Sequence, residues 1–167
     1  SIGGAEYSSS HRMVFGNNMK IEIQEVKELP EAISKLAQQA NKEGLEFVTR
    51  MIEEFESGKN RFDKPNEFLL MAYDNGQLIA CGGLNLQWNE QDIETRIGRV
   101  RRFYVLPKYR KHGVGKQLLQ YIEKKAIANF SALCLNTEIK SAANFYQKMN
   151  YVFVENHPNY NYFKYLI

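Results

Sequence analysis

The sequence of 167 residues has few cysteines and no long hydrophobic run, and both shortages exclude classes of protein. Its two cysteines, Cys81 and Cys134, stand in apolar segments without a CxxC motif or a histidine at ligand spacing. A buried structural role is therefore expected rather than a metal site or a disulfide. No apolar run approaches the roughly 18 residues that a membrane span requires. We expect a cytoplasmic protein with no metal and no membrane partner.

Two familiar phosphate-binding motifs are also missing, although the stretch YRKHGVGKQLL, residues 109–119, places two glycines among positive charges. The Walker motif needs a glycine five residues before its Gly-Lys pair and a Ser or Thr after it, whereas Arg110 and Gln117 occupy those positions. The dinucleotide motif needs a third glycine where Leu118 stands. A P-loop nucleotidase and a Rossmann enzyme are both excluded.

The same glycines still predict a binding site for an anion. Gly113 and Gly115 allow a tight turn and a close approach of a ligand to main-chain N–H groups. The first turn of the helix that follows offers unpaired donors at the positive end of a dipole. Arg110, Lys111 and Lys116 add positive charge. The natural ligand of such a loop is an anion, most often a phosphate.

Acidic residues are missing between positions 96 and 116, where eight basic residues stand. The rest of the chain holds 14 of the 22 basic residues and all 19 acidic ones, so its formal charge is −5 although the whole chain carries +3. A patch of one sign raises the local concentration of the opposite ion. This patch coincides with the two glycines.

Length and periodicity predict one domain over residues 19–167. Residues 1–18 are small, polar and aperiodic, without the apolar segment of a signal peptide, and we expect an added or disordered leader there. Alternation and helical spacing predict interleaved strands and helices, with a hairpin turn at Asn75-Gly76 and a helix end at Gly58. Strands are expected at 20–26, 67–73, 77–87, 131–137, 151–155 and 161–167 and in the segment that ends with RRFYVLP, and helices at 30–40, 45–57, after the glycines and at 140–150.

The order of three segments resembles the GNAT superfamily of N-acetyltransferases from about residue 20 to the end. These segments are VRRFYVLPKYRKHGVGKQLL, LCLNT and AANFYQKMNY. The resemblance implies an α/β fold with a mixed, strongly twisted sheet of about six or seven strands and about four flanking helices. It also implies acetyl-CoA as acetyl donor, no metal, and a small-molecule or peptide amine as acceptor. The glycines would then hold the pyrophosphate of coenzyme A.

The resemblance also assigns residues to the cofactor. The strand that precedes the glycines would pair with the pantetheine arm through its main chain, as an added strand does. A bulge in that strand would separate it from the segment SALCLNT and admit the thioester. His112 is more simply read as an exposed loop residue. The residues assigned to the cofactor are Phe103, Tyr104, Val105, Arg110, Lys111, His112, Gly113, Val114, Gly115 and Lys116.

Tyr146 matches the family tyrosine that can protonate the departing thiolate. A phenol with an ordinary pKa of about 10 carries its proton at neutral pH. The same residue also continues a helical stripe with Ala142, Phe145 and Met149, which is the usual pattern of a core face. Tyr146 therefore has two interpretations, as a proton donor and as a core residue.

The sequence departs from the family pattern at the general base. Many relatives carry an acidic residue at the position of Arg99, so a carboxylate base on that strand is in doubt. Asp92 and Glu94, in the preceding loop, could act in its place through water. Each could equally be a solvated loop residue.

The acceptor itself is not readable from the sequence, and a small amine, a protein lysine and a peptide N-terminus all stay open. The regions that face the acceptor in the family are acidic and aromatic here, which suits a cationic amine. The quaternary state also stays open between monomer and homodimer. The residues concerned are Glu43, Glu46, Glu53, Glu54, Tyr160, Tyr162 and Phe163.

Two other functions fit parts of the pattern. A coenzyme A sensor could keep the fold without the chemistry, as the missing acidic position allows. A nucleic-acid-binding module could use the mixed basic and aromatic segment RVRRFYVLPKYRKHGVGK. The charge of −5 on the rest of the chain argues against a broad nucleic-acid footprint.

Overall fold

The structure, a computed structural model, describes residues 10–15, 19–87 and 96–167. Eight strands and four helices occur in this part of the chain. The strands are β1 (Ser10–Phe15), β2 (Met19–Glu25), β3 (Phe68–Asp74), β4 (Gln77–Leu86), β5 (Ile97–Val105), β6 (Ala132–Leu135), β7 (Val152–Phe153) and β8 (Tyr162–Tyr165). The helices are α1 (Ile33–Lys42), α2 (Phe47–Ser57), α3 (Val114–Ala126) and α4 (Lys140–Lys148).

The strands form a single mixed sheet in the order β1-β2-β3-β4-β5-β6-β8-β7. Every neighbouring pair is antiparallel except β5 and β6, which run parallel. A parallel pair needs a crossover, and α3 supplies it between these two strands. The predicted mixed sheet with four helices is confirmed.

Two positions predicted from the sequence, a hairpin turn and a helix end, occur in the structure. Asn75 and Gly76 adopt φ values of 49° and 88°, which a two-residue hairpin turn between β3 and β4 requires. Gly58 ends α2 with a φ of 83°, in the left-handed region that glycine enters without a steric cost. Both predictions are confirmed.

The helices cover the two faces of the sheet in pairs. Buried residues of α1 and α2 pack on one face, and buried residues of α3 and α4 pack on the other. Cys81 lies in the layer under α1 and α2, Cys134 lies in a separate cluster with Ile97 and Tyr160, and both are fully buried free thiols. Burial raises the pKa of Cys81 to about 12, so its thiol stays protonated and unreactive at neutral pH. Their predicted structural role agrees with this placement.

The strand β1 lies inside the first 18 residues, where we expected no regular element. It pairs with β2 through six residue pairs, from Ser10 opposite Gln24 to Phe15 opposite Met19. Strand pairing uses main-chain groups that every residue carries, so a weak side-chain pattern can still pair. The sheet therefore starts before the predicted boundary at Met19. Within the described residues, no helix has the length and apolar content needed to cross a membrane.

Candidate functional site

The sheet opens between β5 and β6. These strands pair at only three positions, the last of which joins Arg99 to Cys134. Against β4, Tyr104 lies opposite Cys81 and Arg101 opposite Gly83, so β5 holds one more residue than β4 across this step. That extra residue is a β-bulge, and it bends β5 away from β6. The structure thus contains the bulge and the opening that the family resemblance implies.

The bulge also sets which way the β5 side chains point. Arg102 has a φ of 58°, and its side chain pairs with Glu54 of α2. Beyond the bulge, Phe103 turns to the opposite face and stacks on Phe145 of α4, with ring centroids 5.8 Å apart. Tyr104 turns back, and its ring meets Phe47 at 6.1 Å. Of the predicted cofactor strand, only the side chains of Phe103 and Val105 belong to the α3–α4 side.

The glycine loop, residues 110–116, joins β5 to α3. Lys111 and Gly113 both lie in the left-handed region, with φ values of 65° and 85°. Gly113 precedes α3 without a side-chain cap, and the first turn of α3 has no acidic residue. Across residues 111–116, no main-chain N–H group finds an acceptor at hydrogen-bonding geometry within the described part of the chain. The loop therefore presents a row of unpaired donors at the positive end of a helix.

The loop side chains divide into exposed and buried ones. Lys111, His112 and Lys116 are exposed, so their charges or donors can meet a ligand from solvent. Val114 is buried in the core, so its main-chain N–H is the group available to a ligand. The loop therefore offers main-chain donors flanked by two exposed cations, which suits a phosphate or pyrophosphate.

At position 115, packing as well as ligand binding favours a small residue such as glycine. A Cβ atom at this position would lie 3.4 Å from the Phe145 ring and 3.7 Å from Val105 Cγ2. A Cβ atom alone would therefore make ordinary van der Waals contacts, and a side chain larger than alanine would crowd the Phe145 ring. Phe145 is thus a site residue that sequence reasoning placed only in a core stripe. In the sequence, its position next to Tyr146 in the segment AANFYQKMNY could have indicated this place.

Tyr146 is the predicted catalytic residue, and α4 places it beside the opening. Its side chain is 6% exposed and belongs to the core. Its ring makes edge contacts with Phe103 at 6.0 Å, Phe145 at 5.2 Å and Tyr151 at 5.7 Å. The hydroxyl has no hydrogen-bond partner among the described residues, and burial raises the pKa of the phenol above its usual value. The core interpretation is confirmed, and the protonated hydroxyl stays available as a donor.

A family model described as an acetyltransferase (GNAT) domain matches residues 65–153, more than half of the chain. This protein belongs to the GNAT acetyltransferase family. The matched segment includes the bulged strand, the glycine loop, α3 and α4, which together form the site described above. The predicted family membership is confirmed.

Individual relatives agree with this assignment. An IAA acetyltransferase from Azospirillum brasilense is 35% identical to this protein over 80 residues. The matched segment covers 47% of this chain and 49% of the relative, so this chain spans about half of the relative's length. A candidate acetyltransferase from Exiguobacterium sp. 255-15 superposes with a TM-score of 0.75 at 27% identity, over 87% of this chain and 93% of the other. An aminoglycoside 6'-N-acetyltransferase solved with coenzyme A has a TM-score of 0.63 at 17% identity, over 87% and 97%, and supports the fold alone.

Arg110 differs from the other predicted cofactor residues of this GNAT protein because its side chain is already engaged. Its guanidinium donates to both carboxylate oxygens of Glu43, at 2.7 and 3.0 Å, and its Nε donates to the Val105 carbonyl at 2.9 Å. The Tyr104 hydroxyl donates to the same carboxylate. Burial acts to raise the pKa of Glu43, but the hydrogen bonds from Arg110 and Tyr104 hold it below its ordinary value. Arg110 therefore fixes the end of β5 beside α1.

The expected acidic surface for the acceptor is partly neutralised. Glu43 pairs with Arg110, and Glu54 pairs with Arg102 at 2.9 Å. Glu46 and Glu53 are exposed. Two of the four glutamates are therefore not free to recognise a cationic amine.

The aromatic residues expected near the acceptor pack mostly against one another. Tyr160 stacks on His157 at 3.8 Å and lies 5.7 Å from the Phe163 ring, while Tyr162 meets Phe153 at 5.5 Å. Phe163 and Tyr162 pair with the last two residues of β6, on the side of β6 away from β5. Their role beside the acceptor stays a prediction.

The general base is not assigned. Asp92 and Glu94 lie outside the described residues. At the family's usual acidic position, Arg99 donates to the Asn159 carbonyl at 2.6 Å and lies 3.4 Å from Gln87 Oε1. In the described ranges, no group of three or more His, Cys, Asp and Glu side chains could hold a metal ion.

Proposed function

We propose that this protein transfers the acetyl group of acetyl-CoA to an amine. The observation that carries the proposal is the row of main-chain N–H groups without acceptors at residues 111–116, at the start of α3. Such a row, flanked by Lys111 and Lys116, suits a pyrophosphate. A structural neighbour from the same fold was solved with coenzyme A, which is consistent with this choice of ligand.

The strand β5 would hold the pantetheine arm. Leu106 N donates to the Ile79 carbonyl of the neighbouring strand. Because antiparallel pairs alternate, Val105 turns its N–H and C=O away from β4 and toward the opening. The Val105 carbonyl accepts from Arg110, in agreement with this direction, and the Val105 N–H is left to pair with an added strand-like ligand.

The chemistry assigned to this chain's own residues is proton transfer and positioning. Acetyl-CoA would supply an acetyl group activated as a thioester. As the C–N bond forms and the C–S bond breaks, the nitrogen loses one proton and the sulfur gains one. Tyr146 Oη provides the proton for sulfur and recovers one, through water, from the amine. The raised pKa of Tyr146 keeps that proton in place throughout the neutral range.

A thermal-shift titration followed by a turnover assay tests this function. Acetyl-CoA should raise the melting temperature in a concentration-dependent way, and nicotinamide dinucleotides should do much less. A panel of amines should then release free thiol. Tight acetyl-CoA binding with no turnover of any amine would instead favour a coenzyme A sensor. Salt-sensitive nucleic-acid binding without a coenzyme A shift would favour the nucleic-acid module.

A further inference from the structure

A cavity of about 230 Å³ lies on the α2 side of the sheet, away from the glycine loop. Its walls come from the end of α2, the segment 58–67 and the neighbouring strands β4 and β5. We call it the arginine cavity because Arg101 of β5 lines it. Other lining residues are Glu54, Asn60, Glu67 and Asn85.

Most polar groups in the walls of the arginine cavity already have partners. Glu54 pairs with Arg102 at 2.9 Å and lies 4.0 Å from Lys59 Nζ. Glu67 accepts from the main-chain N–H groups of Lys64, at 3.2 Å, and Leu86, at 2.8 Å. These two carboxylates are therefore largely satisfied within the protein.

The two asparagines in the wall also satisfy each other. Asn60 and Asn85 exchange reciprocal side-chain hydrogen bonds of 2.9 and 3.0 Å. Arg61 donates through Nε to the Phe55 carbonyl at 3.0 Å. Most donors and acceptors in the wall are thus already hydrogen-bonded within the protein.

Arg101 differs from these paired groups. It is partly buried, and within the described residues its guanidinium has neither a hydrogen bond nor an ion pair. Burial and the nearby charges of Arg102 and Arg99 lower its pKa, and the carboxylates of Glu54 and Glu67 offset this effect only in part. The Nε of Arg102 is also buried without a partner. A partly buried cation without a hydrogen-bonded partner is costly unless a ligand supplies the counter-charge.

Arg101 also lies close to the predicted reaction centre. It stands two residues beyond Arg99, where β5 stops pairing with β6. Its side chain faces α2, whereas Phe103, Phe145 and Tyr146 form their cluster on the other face. A molecule seated in the arginine cavity would therefore reach the opening from the side opposite to the glycine loop.

We propose that the arginine cavity binds a carboxylate group of the acceptor, held by Arg101, so that the acceptor is an amino acid or a molecule with an amine and a carboxylate. This inference rests on the proposed acetyl transfer. A planar guanidinium matches a carboxylate in two parallel hydrogen bonds. Four basic residues (Lys59, Arg61, Lys64 and Arg101) and three acidic ones (Glu54, Asp63 and Glu67) line the cavity, and this small positive excess is balanced by a monoanionic carboxylate rather than by a phosphate dianion.

Matched substrates test the inference. Glycine, β-alanine and 4-aminobutyrate are compared with their carboxamides and with 2-aminoethyl phosphate, by thiol release at saturating acetyl-CoA. At least one carboxylate should exceed its carboxamide in kcat/KM by about 10- to 100-fold, the range for a hydrogen-bonded charge. In Arg101→Gln that preference should vanish while acetyl-CoA affinity stays unchanged. Arg50→Gln, at an exposed arginine of α2, is the control and should keep the preference.

The outcomes separate the two proposals. Equal rates for carboxylates and carboxamides, or a stronger response to the phosphate, would overturn the carboxylate site and leave acetyl transfer standing. Failure of acetyl-CoA to bind would overturn the proposed function. If acetyl-CoA binds and no compound is turned over, calorimetry with the same compounds on the coenzyme A-bound protein decides. Saturable carboxylate binding lost in Arg101→Gln supports the site, and no such binding overturns it.

Discussion

The glycine loop and the arginine cavity lie on opposite sides of β5 and present positive charge in different ways. The loop presents main-chain N–H groups that no acceptor among the described residues satisfies, and its two lysine side chains, Lys111 and Lys116, are exposed. The cavity presents one partly buried guanidinium within a frame of satisfied groups. Main-chain donors recognise a phosphate of almost any molecule, whereas a fixed guanidinium selects a particular shape. In the two proposals made above, the loop binds the acetyl donor, acetyl-CoA, and the cavity selects the acceptor.

The largest expected effect separates chemistry from packing on the loop side of β5. Tyr146→Phe keeps the ring and its aromatic contacts but removes the proton donor. If Tyr146 protonates the thiolate, turnover should fall by roughly 10²- to 10⁴-fold while acetyl-CoA affinity stays nearly intact. Steady-state turnover and calorimetry measure the two quantities. Tyr165→Phe, at a tyrosine 69% exposed, should leave both unchanged. Wild-type turnover in Tyr146→Phe would assign the residue to the core alone.

A second variant tests whether the loop, rather than the cavity, binds the donor. Gly113→Val places a branched side chain where a pyrophosphate must approach, so acetyl-CoA affinity should fall at least about 10-fold, the effect of losing roughly 1.4 kcal/mol. The left-handed φ of 85° adds a stability cost of about 1–2 kcal/mol. Gly76→Val carries the same strain at a φ of 88° in the β3–β4 turn. It should lose comparable stability and keep its affinity, and equal affinities in the two folded variants would remove the loop from the site.

A smaller effect distinguishes a free loop cation from an engaged one. Lys116→Gln should weaken acetyl-CoA binding by about 2- to 5-fold at low salt and reduce its salt dependence, as expected for an exposed charge pair. Arg110→Gln should change affinity less, because Arg110 is held by Glu43 and the Val105 carbonyl. Titrations at two ionic strengths compare them. A larger affinity loss in Arg110→Gln would show that Arg110 leaves Glu43 to bind the cofactor.

The smallest effect concerns the ion pair that fixes the end of β5. The pKa of Glu43 is lowered from an ordinary value of 4.5. Its stabilisation is therefore present above about pH 4.5 and is lost as the pH falls through the lowered folded value. Because the pair is partly exposed, wild type should exceed Glu43→Gln in unfolding free energy by at most about 1 kcal/mol at pH 7. Denaturant titrations should show that difference shrinking below pH 4, and a difference that grows in acid would contradict the assignment.

The two sides of β5 also differ in how far the sequence predicts them. Gly113 and Gly115 stand close together in the chain beside Lys116, so spacing alone indicated the loop, and Tyr146 followed from the family resemblance. The arginine cavity joins Arg101 to residues of α2 and of the segment 58–67, which only the folded sheet brings together. The engagement of Arg110 depends equally on Glu43, 67 positions away. The sequence signalled charge at these positions but not which charges would be paired.

Amide chemical shifts of the glycine loop test the central claim most directly. With ¹⁵N-labelled protein, a coenzyme A titration follows the N–H groups of Gly113, Val114, Gly115 and their neighbours. Because these groups have no acceptor among the described residues, they should move downfield and saturate together as they gain phosphate oxygens. Amides in the β3–β4 turn around Gly76 should not move. Saturable coenzyme A binding that leaves the loop amides in place, or no binding at all, would contradict the account.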